Sequence, residues 1–151
     1  MKKILNTWSN IKSNQSQKNL TKVDENHTDI VLADCEEWGG ETEMMFYIAN
    51  TIKTSKNSKI VCIVANGGKN SWKEVKFAME RNYSIIIIKN SMFLSDQIVQ
   101  LKETCSLDDF GSEIYVPLHL YSLVSSYSHF FVCDLNDPSS ILQIIYQIIS
   151  K

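Results

Sequence analysis

Four of the five glycines in this 151-residue chain stand as two pairs, Gly39-Gly40 and Gly67-Gly68. Residues able to meet an anion or a hydroxyl follow each pair. Glu41 follows the first; Lys69, Asn70 and Ser71 follow the second, with Glu74 three positions on. A third polar corner, Asn90-Ser91, ends the apolar run "YSIIIIK". Glycine lets a backbone approach a ligand closely or adopt positive φ. A helix start offers free N–H groups and a dipole that favour an anion. These residue types therefore suit phosphate binding by backbone amides and a hydroxyl over Asn66 to Ser71. Gly39 to Glu41 would flank the same edge, Glu41 taking sugar hydroxyls, and Asn90 and Ser91 would add a third polar contact. A plainer reading stands beside this one. Ser71 to Glu74 has the form of a capping box, Asn66-Gly67 is a common turn pair, and Glu41 suits the positive end of a helix dipole. The loop is neither a Walker loop nor a GxGxxG dinucleotide fingerprint.

Other chemistry is poorly supported. Cys35, Cys62, Cys105 and Cys133 are widely spaced, with no CxxC pair and no histidine at zinc spacing. All four read as reduced thiols, and His27, His119 and His129 as ordinary polar side chains. No metal and no cofactor is expected. A net charge of −2 gives no bulk electrostatic case for nucleic acid. The longest apolar run is far too short to span a bilayer, and the N-terminus lacks the form of a signal peptide. A cytoplasmic protein is expected.

The elements that must position the loops follow from periodicity. Residues 1–25 form a polar arm with a short helix around Ile4, Trp8 and Ile11; the domain proper runs over 26–151. "DIVLAD" (29–34), "KIVCIVA", "YSIIIIK" and "HFFVCDL" read as four strands. Helices follow each strand: Met45, Ile48, Ala49 and Ile52 face inward on the first, Val75, Ala78 and Met79 on the second, Leu94, Ile98 and Leu101 on the third. A further helix begins near Pro117. Asp137-Pro138 starts the closing helix, with Ile141, Ile144, Ile145 and Ile148 in one stripe. Strand–helix alternation predicts an α/β fold, a Rossmann-like three-layer arrangement or an incomplete parallel sheet of about four strands. Sequential strand order would put the crossover helices on one face. Covering the other face then requires a reversal of order, a second copy or a partner chain.

The order of these motifs resembles the SLOG superfamily, and within it the branch shared by melastatin-type TRP channel N-terminal regions and their prokaryotic relatives. Asn26, His27 and Thr28 match that branch's strand entry, Gly39 and Glu41 its Gly-x-Glu helix start, and Gly67-Gly68 its strand ending in two glycines. The resemblance covers roughly residues 26–100, and by it the chain reads as a half-length member. It implies a Rossmann-like domain that binds a nucleotide-derived ligand, ADP-ribose-type molecules being the case for the channel branch, and hence a sensor module. The wider superfamily includes Lonely-guy phosphoribohydrolases with a PGGxGTxxE signature. The same register here reads Asn66 to Glu74, keeping two glycines, a hydroxyl and the glutamate. Two departures stand out. The Gly-Ser-Gly-Arg-like third loop has become Asn90, Ser91, Met92 and Phe93, with Asp96 kept. Loss of both glycines and the arginine is expected to limit backbone approach and to remove a bidentate phosphate donor. Two alternatives therefore remain: a degenerate domain serving as a structural or interaction module, and a nucleotide N-glycosidase using Glu74. The second needs an arginine close by, and the sole one, Arg81, lies near the far end of the helix.

Overall fold

The computed structural model describes residues 26, 31, 33–35, 37, 39–107 and 113–150. The chain divides into two compact units, Met1–Leu32 and Ala33–Lys151. Every described helix and strand belongs to the second unit.

Three parallel strands form the sheet: β1 (Val61–Ala65), β2 (Ser84–Lys89) and β3 (Phe130–Asp134), in the order β1-β2-β3. The helices are α1 (Thr42–Lys56), α2 (Lys69–Glu80), α3 (Phe93–Thr104), α4 (Tyr121–Ser126) and α5 (Pro138–Ile149), with a 3₁₀ turn over Leu118–Leu120 before α4. The fold is α/β and Rossmann-like, with one strand fewer than expected among the described residues. Of the predicted first strand, Asp29, Ile30 and Leu32 lie outside the described residues; Val31, Ala33 and Asp34 are described and are not in a strand. The predicted helix around Ile4, Trp8 and Ile11 also lies outside them.

β2 is central, and its β-branched run is buried on both sides, Ile85, Ile86 and Ile87 being fully inaccessible. Burying each such side chain contributes about 1.5–3 kcal/mol. Ile85 and Ile87 face one core with Val64, Val75, Leu94, Ile98, Leu101 and Phe130. Here α2, α3 and α4 cover the sheet, as right-handed crossovers between sequential strands require. Ile86, Ile88 and Cys133 face the other way and meet Ile141, Ile144, Ile145 and Ile148 of α5. The closing helix thus crosses to the second face without any reversal of strand order, which resolves the covering problem over β2 and β3. At the edge strand β1, Ile63 on that face stays half exposed.

One helix face differs from expectation. On α1 the buried residues are Thr42 and Phe46, while Met45 and Ile52 are 44% and 51% exposed. The aromatic partners decide this. Phe46 packs 5.6 Å from Phe77 and 6.1 Å from Tyr83, and Arg81 stands over Phe46. A ring seated in an aromatic cluster gains more than a flexible Met on the same surface.

Candidate functional site

The carboxyl ends of the parallel strands, where open α/β sheets hold ligands, carry the loops singled out from the sequence. The first corner after β1 is tightly folded. Asn66 and Gly67 both take positive φ, +61° and +93°. Asn66 N–H donates to Ser91 Oγ (2.7 Å), and Gly67 N–H donates to Asn66 Oδ1 (2.7 Å). The Asn66 and Gly67 carbonyls accept the N–H groups of Ser95 (3.1 Å) and Leu94 (3.0 Å) at the start of α3. Ser91 Oγ in turn donates to the Ile88 carbonyl (2.6 Å). Ser91 therefore stitches β2 to the β1 loop, and its hydroxyl is engaged twice.

The third loop keeps a glycine-type backbone without glycine. Asn90, Met92 and Phe93 have φ of +64°, +76° and +53°. Such conformations cost about 1–3 kcal/mol each and persist only where the surroundings impose them. Asp96 imposes them here. Its Oδ1 accepts Asn90 N–H (2.8 Å) and its Oδ2 accepts Met92 N–H (2.9 Å). The chain's own carboxylate fills the cradle that the loop would offer an anion. Asn90 Nδ2 donates to Asp134 Oδ2 (2.8 Å), tying the loop to the end of β3. The Asn136 amide, followed by Asn90, holds the Asp134 carboxyl below its ordinary range.

The start of α2 is the contrast. The capping-box reading fails: the helix begins at Lys69 with Gly68 as its cap, no side chain caps it, and Ser71 and Glu74 lie inside it. Gly68 has φ −132° and ψ −148°, and its carbonyl accepts Trp72 N–H at 3.0 Å. No partner among the described residues takes the N–H groups of Gly68, Lys69, Asn70 and Ser71. The glycine corner packs tightly against this turn, because a Cβ on Gly67 would stand 2.9 Å from Ser71 Cβ. The Gly39–Gly40–Glu41 turn comes alongside: a Cβ on Gly39 would lie 3.2 Å from Asn70 Oδ1. Glu41 caps α1 without a side-chain bond. Next to it, Thr42 Oγ1 is buried with no partner among the described residues, an orphan group that calls for a ligand or water.

Glu74 lies one turn into α2, half-buried. Burial, and after it the charge of Glu41, raise its carboxyl above the ordinary 4.5. Burial, with Glu74 adding to it, pushes the Cys62 thiol up to about 11, so Cys62 stays protonated and inert at neutral pH. All four cysteines are free. The folded protein binds the Glu74 proton more tightly than the unfolded chain does. Its favourable contribution is complete below the unfolded value and is lost as pH rises through the folded one. Glu74→Gln should therefore match the parent near pH 4 and melt at a higher temperature at pH 7. Equal melting temperatures at both pH values would refute the strained-carboxylate account.

The loop edge thus joins Gly39, Asn70, Gly67, Gly68 and Ser71 in one place, with Glu41 electrostatically coupled to Glu74. It keeps Asn90 and Ser91 for holding the loops together. Sequence reasoning passed over Thr42, Asp134 and the part played by Asp96. Only Asp96, an acidic residue in the first turn of a helix, carried a local signal. A cleft of about 320 Å³ opens at the opposite end of the sheet, with Lys53, Lys59 and His129 in its lining. Lys59 Nζ donates to the Ile148 carbonyl at the end of α5 (2.9 Å), and Lys53 stands over the Tyr83 ring (4.9 Å), so both cations serve the fold there. Among the described residues no group of side chains could hold a metal ion, and no helix is long and apolar enough to cross a membrane.

The family model described as SLOG in TRPM, prokaryote, matches residues 6–143. The chain belongs to this family, a nucleotide-related class of Rossmann-like domains. The match extends beyond residues 26–100 in both directions. No curated protein and no solved structure matches the chain.

Proposed function

We propose that the chain is a cytoplasmic binding module, a sensor, for a nucleotide-derived ligand of the ADP-ribose type, its phosphate lying at the start of α2. The observation that carries this reading is the set of N–H groups over Gly68 to Ser71 that have no partner among the described residues, in a loop cluster whose other amides are largely engaged. Lys69 and the Ser71 hydroxyl add to that set. Glu41 and the orphan Thr42 hydroxyl stand on the flank where sugar hydroxyls would lie. Gly39 and Gly40 let this flank pack closely, Gly39 against Asn70 and Gly40 against Cys35, where a Cβ would meet Cys35 Cβ at 2.6 Å. A second copy or a partner chain would complete the sheet over Ile63 at β1.

A thermal-shift series with ADP-ribose and AMP tests the reading. A ligand that binds only the native state adds about 2.7 kcal/mol at a hundred times its Kd, so the melting temperature should rise with concentration. No rise with either nucleotide would favour a domain kept for structure or protein interaction.

The raised Glu74 carboxyl favours a second reading, an N-glycosidase, because perturbed carboxyls gather at catalytic sites. Against it, Arg81 is turned to the fold: its guanidinium donates to the Phe77 carbonyl and stacks on Phe46 and Phe77. Release of a free base from AMP, lost in Glu74→Gln, would reverse the ranking.

A further inference from the structure

Beside the start of α2 lies a pair of aromatic rings that the proposed phosphate contacts do not use. Tyr115 comes from a connection far along the chain and reaches Gly68: a Cβ on Gly68 would lie 3.7 Å from Tyr115 Cε1 and 3.9 Å from Cζ. Phe93, the first residue of α3, faces Tyr115 with ring centroids 6.4 Å apart and a 56° tilt. It is 43% exposed, while Val75, Leu94 and Ile98 nearby are wholly buried. The position of Tyr115 is enforced from below. Gln97 is fully buried. Its Nε2 donates to the Glu113 carbonyl (2.8 Å), and its Oε1 accepts Tyr115 N–H (3.0 Å). A buried amide is tolerated only when both its ends are bonded. Here the two bonds fasten the 113–115 segment so that Tyr115 stands at the loop edge.

We propose that Phe93 and Tyr115 form the platform on which the aromatic base of the ligand rests, making the site selective for a nucleotide over a sugar phosphate of the same charge. The inference builds on the phosphate position proposed above. The exposed Phe93 ring and the half-buried Tyr115 ring, next to a row of amides with no partner among the described residues, match a ligand with a flat π-system a few bonds from an anion. Stacking reads the presence of a ring more than its identity, so purine and pyrimidine nucleotides should both bind.

Calorimetric titration of the intact chain with AMP and with ribose 5-phosphate separates the two claims. AMP should bind about tenfold more tightly, within the range that base stacking supplies. Tyr115→Leu, which keeps bulk and loses the π face, should bring AMP down to the level of ribose 5-phosphate and leave the sugar phosphate unchanged. Tyr115→Phe should behave like the parent. Ribose 5-phosphate binding as tightly as AMP, or Tyr115→Leu weakening both equally, would overturn the platform and leave the phosphate site standing. Binding of neither would overturn both.

Discussion

Replacing Asp96 with alanine is expected to lower folding stability by about 2–3 kcal/mol, since hydrogen bonds to a charged group contribute about 1.5–3 kcal/mol each and this carboxyl is partly solvated. The change removes both acceptors of the Asn90 and Met92 amides. Those two bonds help hold Asn90 and Met92 at positive φ. Without the carboxylate the bonds of Asn90 to Asp134 and of Ser91 to Ile88 offset only part of that conformational cost, and the loop should relax, loosening the Ser91 bridge to Asn66. Asp96→Asn keeps one acceptor oxygen and should lose about half as much, roughly 1–1.5 kcal/mol on the same scale. Urea denaturation at pH 7 reads both values as shifts in midpoint at constant slope. A loss below about 0.5 kcal/mol for the alanine variant, the range of an ordinary surface substitution, would mean that the loop holds its shape without Asp96.

That loop also marks where the sequence was legible and where it was not. Strand β2 and helix α3 were plain, because four consecutive isoleucines and the Leu94, Ile98, Leu101 spacing admit few other arrangements. The closing helix was equally plain at Asp137-Pro138 and its isoleucine stripe. Its destination was not, since periodicity reports an apolar face and not which side of a sheet receives it. On α1, two apolar faces competed, and the contact of Phe46 with Phe77 and Tyr83 decided between them. The start of α2 was misplaced because Ser71 and Glu74 satisfy a capping pattern that Gly68 makes unnecessary. In the third loop, absent glycines suggested a lost shape, yet a carboxylate six residues after Asn90 restores it. Tyr115 gave no signal at all, because its place depends on the buried amide of Gln97.

The two glycines after β1 should separate on mutation, although the sequence presents them as a pair. Gly67→Ala should destabilise the fold strongly. Its φ of +93° is unfavourable for any residue with a side chain, and the new Cβ would meet Ser71 Cβ at 2.9 Å, on a helix that cannot easily move. Strain of this kind costs about 1–3 kcal/mol for the backbone alone, and the steric contact adds to it. Gly68→Ala meets neither obstacle. Its φ is negative (−132°), and its nearest neighbour outside the adjoining residues is the Tyr115 ring at 3.7 Å. Stability should change by less than about 0.5 kcal/mol. The added methyl would stand beside the Tyr115 ring next to the free amides of α2, where the proposed ligand lies. Gly68→Ala should therefore melt like the parent and show a clearly weakened response to AMP. Equal destabilisation by the two substitutions would mean that Gly68 serves the fold alone. An undiminished response to AMP in Gly68→Ala would move the ligand away from the start of α2.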